Sequence, residues 1–389
     1  MKYLFALLLV TSHASALQYS GELGLENRYF LNKGLYQNPQ QGDSSLVIRP
    51  EFSHSWDQDR KVVTFIPYAR LSQLDDEKTH GDLRELSFVG SWEKVELRAG
   101  VSKVFWGMVE SFHLVDVINQ VDAVENIDLE DRLGQPMINP TYVSDFGNFS
   151  YFFMPLFRER TFPGPDGRLR NALVIDTDRP VYTHEDAEKH IDHAFRWGHY
   201  WGGLEWALGY FKGTDREPKF TVDTVTGQPV PVYVQTEQSS AEIQFVYEDL
   251  IIKNETLYKD SETEKAYLSA VTGFEYTFSN KFGGMDIGVL YEWIYDERGN
   301  ASTIGLSNAS FFGARLAVND ENSTELLAGG IVHNDTGDLA SFRIESNRRI
   351  NENWKWEFEA NFFMKSPPGT LFDSLRADDY AQLTFSFFY

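Results

Sequence analysis

The sequence predicts an all-β protein, a closed antiparallel β-barrel that crosses a membrane and is formed by residues 17–389. Apolar and polar residues alternate with a period of two along most of the chain, which is typical of strands with one face toward lipid. Aromatic residues make up 15% of the chain although its formal net charge is -23. Short and long connections alternate between the predicted strands, as they do when strands run up and down a barrel.

Residues 1–16 are predicted to be a signal peptide that is removed after export. Lys2 supplies the positive charge, an apolar "YLFALLLV" run follows, and Ala14, Ser15 and Ala16 form a small-residue cleavage site. The apolar run is too short to span a bilayer as a helix, which needs about 20 apolar residues. The chain has 0 Cys, so it has no disulfide framework and no thiol chemistry.

The first strands are predicted in "LQYSGELGLENRYF", "SLVIRPEFSHSW" and "VVTFIPYARLS". In the first of these, Leu23 and Leu25 share one face, opposite Glu22 and Arg28. Each segment has the length of one membrane crossing, about 9 to 11 residues. Pro50 and Pro67 lack the N–H that a paired strand donates, so we expect bulges or altered pairing at those positions.

The later segments repeat this pattern as far as "NWKWEFEANFF" and the terminal "QLTFSFFY". We expect eight short joins and nine longer ones, which imply about 18 strands with both termini at one rim. Sixteen strands is the alternative, because the paired segments near 83–102 and 140–155 are short. A girdle of aromatic residues is predicted beside the short joins and at the C-terminus, comprising Trp56, Trp92, Tyr247, Phe278, Trp354 and Tyr389.

The exported amphipathic strands and the aromatic C-terminus resemble the outer-membrane β-barrel porins of Gram-negative bacteria. The segment "GVSKVFWGMVESFHLVDVINQVDAVE" is similar to part of uncharacterised proteobacterial porin-like barrel proteins, with its Trp-Gly pair, its Glu-Ser pair and its later Asp and Asn. The resemblance implies a bacterial outer-membrane location and a channel class. It does not imply a particular solute.

The segment 103–137, after the fifth predicted strand, is predicted to fold into the lumen, because the corresponding loop of general porins narrows the pore. Apolar residues at helical spacing, from Leu114 to Val124, predict a helical stripe that packs on the barrel wall. Asp116, Asn119 and Asp122 would then form the other face of the helix. A solvated external helix is the alternative, although so apolar a loop would be poorly solvated.

Opposite charges are expected to face each other across the narrowed lumen. Arginines on the early strands would meet the carboxylates of the loop and create a transverse field that filters ions, with a balance that favours cations. The alternative is that these residues hydrate a wide lumen or form structural ion pairs. The predicted constriction comprises Glu110, Asp116, Asn119, Asp122, Glu125, Arg28, Arg49, Arg70 and Arg98.

A metal site is considered in "THEDAEKHIDH", where Asp186, His190 and His193 would share one helical face. One short loop rarely supplies enough ligands, so a solvated acidic loop is preferred and no metal or other cofactor is predicted. Four arginines of the same connection are expected to contact lipopolysaccharide phosphates, namely Arg158, Arg160, Arg168 and Arg170.

The sequence therefore predicts a porin, an outer-membrane channel for passive or selective diffusion of small hydrophilic solutes or ions. Nucleophile-elbow, zinc-protease, P-loop and EF-hand motifs are absent from the sequence, so an enzyme is not predicted. The acidic balance opposes nucleic-acid binding. A barrel hydrolase acting on lipid or peptide and a structural or adhesive barrel with an occluded lumen are the alternatives. The expected partners are outer-membrane lipid and lipopolysaccharide, the transported solutes, and further copies of the chain in a homo-oligomer.

Overall fold

A computed structural model of the protein describes residues 17–36, 40–302, 305–368 and 370–389. The predicted signal peptide lies outside these residues. Eighteen antiparallel strands form one closed sheet, in which each strand pairs with the next wall strand along the chain. These strands are β1 (Gln18–Phe30), β2 (Gly42–Trp56), β3 (Lys61–Ser72), β4 (His80–Trp92), β5 (Val95–Ser102), β6 (Gln135–Ser144), β7 (Gly147–Met154), β9 (Asp192–Trp201), β10 (Leu204–Thr214), β13 (Gln235–Tyr247), β14 (Leu250–Ser261), β15 (Glu264–Lys281), β16 (Met285–Asp296), β17 (Asn308–Ala317), β18 (Glu325–His333), β19 (Leu339–Arg349), β20 (Trp354–Phe363) and β21 (Tyr380–Phe388).

Three short strands lie outside the wall, in the long connections. They form a separate small sheet and are β8 (Val181–Tyr182), β11 (Lys219–Val222) and β12 (Pro229–Tyr233). The one α-helix among the described residues is α1 (Leu371–Ser374). No helix in the described ranges is long and apolar enough to cross a membrane.

The barrel closes between its first and last strands, as expected for the predicted closed barrel. Strand β21 pairs with β1 from Glu22 opposite Phe388 to Phe30 opposite Tyr380. Gly21 and Tyr389 extend the pairing, because each donates its N–H to the other's carbonyl at 3.2 Å. A Cβ at Gly21 would lie 2.4 Å from the Tyr389 hydroxyl, so the tyrosine ring packs directly over this glycine.

The predicted count of eighteen strands is confirmed, and the predicted alternation of short and long joins holds along most of the wall. The join between β14 and β15 was predicted to be a longer one, and this is wrong because only residues 262 and 263 separate these strands. The predicted irregularities at proline are also present. The β3–β4 register shifts between Ile66 and Pro67, and the β2–β3 pairing is interrupted between Ile48 and Phe52. Proline cannot donate to the ladder, so these breaks have a direct covalent cause.

The outer surface of the wall carries the apolar set of each strand. Leu23 and Leu25 on β1, Phe274 on β15 and Phe312 on β17 are all exposed. The aromatic residues of the predicted girdle lie at the rim with the short turns, and Trp92, Trp354 and Tyr389 are each more than two-fifths exposed. An apolar band with an aromatic edge is the surface of a barrel that spans a bilayer.

The packed core lies inside the barrel, between the wall and the connection that follows β5. Trp106, Val115, Val117 and Ile118 of this connection form an apolar cluster with side chains of β6, β7, β9 and β10. Val109 belongs to a second cluster, with Val271, Ile294 and other side chains from the opposite side of the wall. The connection therefore crosses the lumen and fills part of it.

The other long connections meet at the rim opposite the short turns. Arg168, in the connection between β7 and β8, is buried and donates to the Asp378 carboxylate at 2.6 Å. It also donates to the carbonyls of Asn32, Gln40 and Ala377 at 2.9 to 3.1 Å. One guanidinium thus joins three connections that are far apart in the sequence.

We predict that deletion of Phe387, Phe388 and Tyr389 will abolish most barrel assembly. The deletion removes the end of the strand that closes the sheet, so backbone groups of β1 would be left unpaired in lipid. Folded barrel is measured as the heat-modifiable band on a gel.

The matched control removes Thr224, Val225 and Thr226 from the exposed turn between β11 and β12, and it should assemble normally. Wild-type amounts of the heat-modifiable band in the C-terminal deletion would contradict the prediction.

Candidate functional site

The candidate site is the space between the barrel wall and residues 103–134, which we call the inner loop. Strand β6 begins at Gln135, so the loop ends slightly before the predicted boundary at 137. The predicted inward folding is confirmed by the two apolar clusters that the loop forms with opposite sides of the wall. The predicted apolar stripe does pack inward, since Val117, Ile118, Val121 and Val124 are buried.

Two wall glutamates hold the backbone of the inner loop. Glu255 on β14 accepts the N–H groups of Met108 at 2.7 Å and Val109 at 3.1 Å. Glu292 on β16 accepts the N–H groups of Glu110 and Ser111, each at 2.7 Å. Charged acceptors make strong hydrogen bonds where water is scarce. These bonds fix the first part of the loop against the wall.

The predicted helix in the inner loop is wrong, because no helix is assigned anywhere in residues 103–134. Backbone donors that a helix would use internally are bound instead by Glu255 and Glu292. Asn119 competes for backbone groups as well, because its amide donates to the carbonyls of Ser102 and Leu133, both at 2.8 Å. Side chains that bond to nearby backbone disfavour regular helix.

A buried charge network attaches the middle of the inner loop to β3 and β4. Asp122 accepts a hydrogen bond from Arg84 at 2.6 Å and lies 3.2 Å from His80. Glu125 pairs with Arg70 at 2.6 Å and accepts the Tyr68 hydroxyl at 2.7 Å. Each carboxylate of the network is therefore paired with an arginine of the wall.

Burial acts to raise the pKa of Asp122, but the hydrogen bond from His80 and the charge of Arg84 together lower it to about 2. Because this pKa lies below the ordinary value for aspartate, the stabilisation is present above that value and is lost as the pH falls toward 2. The attachment therefore stays intact across the neutral range.

The same network contains the one group of metal-type ligands found among the described residues. Ligand atoms of His80, Asp122 and Glu125 lie within 4.8 Å of one another. Arg84 and Arg70 already bind the two carboxylates, so the negative charge that a cation would need is balanced. We interpret this group as an attachment of the loop.

The structure places three of the predicted constriction residues behind the loop surface. Asp116 pairs with Arg132 at 3.0 Å, and Asn119 and Asp122 are fully buried in the contacts described above. Burial raises the pKa of Asp116 to about 6, against the opposing effect of the Arg132 charge. That these three residues influence ion preference stays a prediction. Because they are buried, their charge would have to act through the atoms that separate them from the lumen.

An open cavity of about 430 Å³ lies between the inner loop and the wall of β1, β2, β3 and β19 to β21. Both signs of charge face it, with carboxylates in excess. Its acidic lining residues are Glu22, Glu26, Glu125, Asp131, Glu345, Glu357 and Glu359, and its basic ones are Arg28, Arg49, Arg70 and Arg343.

Three of the four predicted arginines line this cavity. Arg28 donates to the Gln382 side chain at 2.6 Å, Arg70 pairs with Glu26 at 3.0 Å, and Arg49 forms an ion pair with Glu22. Arg98 lies away from the cavity, and its guanidinium reaches the Lys103 carbonyl at 3.5 Å. Among the predicted acids, Glu125 lines the cavity, whereas Glu110 lies farther along the loop and pairs with Arg315 at 2.8 Å.

Two further loop acids, Glu130 and Asp131, are exposed to the lumen, and neither forms an ion pair within the described part of the chain. Each lies in a recess between the inner loop and the wall, where the surrounding protein limits its contact with bulk water. This enclosure raises the pKa of each carboxyl to about 7, and the charge of Asp128 adds to both shifts. Their charge therefore changes near neutral pH.

The loop at 184–193 does not gather the ligands considered for a metal. His190 contacts Asp192 at 2.8 Å, while His193 contacts the Tyr151 hydroxyl at 2.7 Å. In β9 the exposed side chain of His193 and the buried one of Asp192 point to opposite sides of the wall. Asp186 lies in an exposed turn, so the three candidate ligands do not converge.

Several residues of the site were not predicted from the sequence, namely Glu255, Tyr68, His80, Arg84 and Arg343. Glu255 follows the period-two alternation of β14 and could have been found that way. Arg84 could not have been found in this way. The β3–β4 pairing joins Ile66 to Glu85 and Pro67 to Leu83, so Arg84 is an additional residue that has no partner in the register.

Comparison with solved structures finds mutant forms of the porin of Rhodopseudomonas blastica. One has 13% sequence identity and a TM-score of 0.47, covering 96% of this chain and 100% of that chain. Another has 14% identity and a TM-score of 0.46 over the same shares of the two chains. No protein-family model and no curated protein matches the sequence.

The eighteen closed strands, the apolar outer band and the inner loop define the class of protein. The chain is a closed eighteen-stranded transmembrane β-barrel whose lumen is narrowed by an internal loop.

We predict that Asp122→Asn will loosen the inner loop. The substitution leaves Arg84 and His80 beside a neutral amide, and breaking a buried ion pair from one side costs roughly 3 to 5 kcal/mol. Hydrogen exchange in the peptides that cover residues 103–134 should become much faster.

Asp186→Asn is the matched control, because this aspartate lies in an exposed turn. Unchanged exchange in the Asp122 variant would mean that the network does not hold the loop.

Proposed function

We propose that the protein is an outer-membrane channel through which small hydrophilic solutes and ions diffuse, with a preference for cations. The observation that carries the proposal is the open cavity in which carboxylates of the inner loop face arginines of the wall. Residues 1–16 serve as the export signal under this proposal, and lipid with lipopolysaccharide surrounds the wall. Diffusion through such a channel requires neither catalysis nor a metal or other cofactor.

The cavity can discriminate between ions because its charges lie close together. Two unit charges about 4 Å apart interact by roughly 4 kcal/mol at an effective dielectric constant near 20. Seven carboxylates and four guanidinium groups line the cavity, so the balance favours entry of cations. Arg49 and Arg70 are paired with Glu22 and Glu26 on the same wall, and the inner-loop carboxylates face this paired layer across the opening.

Single-channel recording of the purified barrel in planar bilayers tests the proposal. We expect stepwise conductance and a reversal potential in a potassium chloride gradient that has the sign for cation preference. The preference should increase in dilute salt because screening is weaker there. Absence of conductance would overturn the channel proposal and favour a barrel with an occluded lumen or a barrel hydrolase.

We predict that cation preference will be weaker at about pH 6 than at about pH 8. Glu130 and Asp131 have pKa values of about 7, so most of their negative charge is lost over this interval. The double substitution Glu130→Gln and Asp131→Asn should remove most of the pH dependence of the reversal potential. At pH 8 the variant should resemble the parent protein at pH 6.

The matched control neutralises Asp186 and Glu188 in the outer loop and should keep the pH dependence. We do not expect the weaker cation preference at about pH 6 to arise from loosening of the inner loop. A carboxyl whose folded pKa is raised stabilises the folded state below its ordinary pKa and loses this contribution as the pH rises through 7. Equal pH dependence in both double variants would show that Glu130 and Asp131 are not the filter.

A further inference from the structure

A second cavity lies beside the charged one and has a different lining. It has a volume of about 150 Å³ and lies between the inner loop and strands β17 to β20. The two cavities share Arg343 and Glu345 in their linings, so the smaller one adjoins the lumen. We call it the side pocket.

The side pocket has a contiguous apolar part, which is unusual inside a barrel whose lumen-facing residues are generally polar. The wall contributes Phe311, Leu327, Ile331 and Phe363, and the inner loop contributes Phe112 and Ile127. All of them except Phe363 are only partly buried. Exposed apolar surface of this kind marks a place where a ligand can bind.

Phe311 forms the floor of the pocket, over two glycines. A Cβ at Gly329 would lie 2.5 Å from its ring, and one at Gly313 would lie 2.9 Å from it. The ring can lie flat along the wall because both positions lack side chains. A larger residue at either glycine would push the ring into the pocket.

The polar part of the side pocket is acidic. Glu110, Asp128, Glu130 and Glu345 line it together with one arginine, Arg343. Arg343 pairs with Asp128 at 2.9 Å and also with Glu345, whereas Glu110 pairs with Arg315. Glu130 has no ion pair in the described part of the chain, so it is the carboxylate that can receive a cation from the lumen.

We propose that the side pocket binds organic cations that have a small apolar body, such as a single aromatic ring, and an ammonium group. The ring would pack on Phe311, Phe112 and Ile127 while the ammonium group faces Glu130. A cavity of about 150 Å³ lined by Leu, Ile and Phe is known to hold one benzene molecule, so the volume of the side pocket is adequate for a single ring. The proposal rests on the proposed channel function for the route by which the solute arrives.

Calorimetric titration of the detergent-solubilised barrel at about pH 8 tests the side pocket, with three probes that differ in one property each. Phenethylammonium has the ring and the charge, ethylammonium lacks the ring, and phenylacetate carries the opposite charge. We expect measurable binding of phenethylammonium and affinity at least roughly tenfold lower for the other two. Equal affinity for all three, or no binding of phenethylammonium, would overturn the proposal.

Two substitutions locate the site. Phe311→Ala and Glu130→Gln should each weaken phenethylammonium binding by about tenfold, because one removes the floor of the pocket and the other its available charge. Phe220→Ala, in the exposed strand β11, is the matched control and should bind as the parent does. If Phe311→Ala gives no heat-modifiable barrel, Ile127→Ser replaces it. Unchanged affinity in the pocket variants would place the binding elsewhere and overturn the assignment.

Single-channel recording separates this proposal from the channel proposal. If the barrel conducts ions but does not bind phenethylammonium, the channel proposal stands and the side-pocket proposal fails. If the barrel binds phenethylammonium but does not conduct ions, the channel proposal fails and the side-pocket proposal stands. If both hold, phenethylammonium should block the potassium current in the parent protein and block it less in Glu130→Gln.

Discussion

The structure depends on one constraint, that backbone N–H and C=O groups in hydrocarbon must be paired within the protein. The wall meets it by joining β21 to β1, so that no strand has a free edge. Closure therefore pairs the first and last strands of the chain, which are the farthest apart in sequence. The terminal Tyr389, paired with Gly21 and packed on it, completes that seam at the rim where the girdle lies.

The same requirement shapes the inner loop, although it lies in the lumen and not in lipid. Most of the middle of the loop is buried, so its polar backbone groups have little access to water. Glu255 and Glu292 satisfy five donors of the loop, the N–H groups of Met108, Val109, Val115, Glu110 and Ser111. These wall carboxylates therefore serve to position the loop, and their charge is not free to act on passing ions.

The fold was predictable from local pattern, since period-two alternation and join length report directly on strands and turns. The inward direction of residues 103–137 was predicted from composition and from the resemblance, but their conformation was not. Helical spacing from Leu114 to Val124 reports which side chains are buried, and it carries no information about acceptors on distant strands. Arg28, Arg49 and Arg70 were predictable as lumen residues because they follow strand alternation, whereas Arg84 depends on a bulge whose register the sequence leaves open.

The acidic residues of the inner loop form two groups, those with an ion-pair partner and those without one. Asp116, Asp122 and Glu125 are bound to Arg132, Arg84 and Arg70, and a paired charge contributes little net field at a distance. Glu130 and Asp131 are exposed and unpaired among the described residues, so no bound cation offsets the charge that they present to the lumen when ionised. Composition alone weights all five acids equally. Because the anchoring pairs hold the loop still, the two free carboxylates keep a fixed distance from the opening, and a fixed distance is what makes a charge selective.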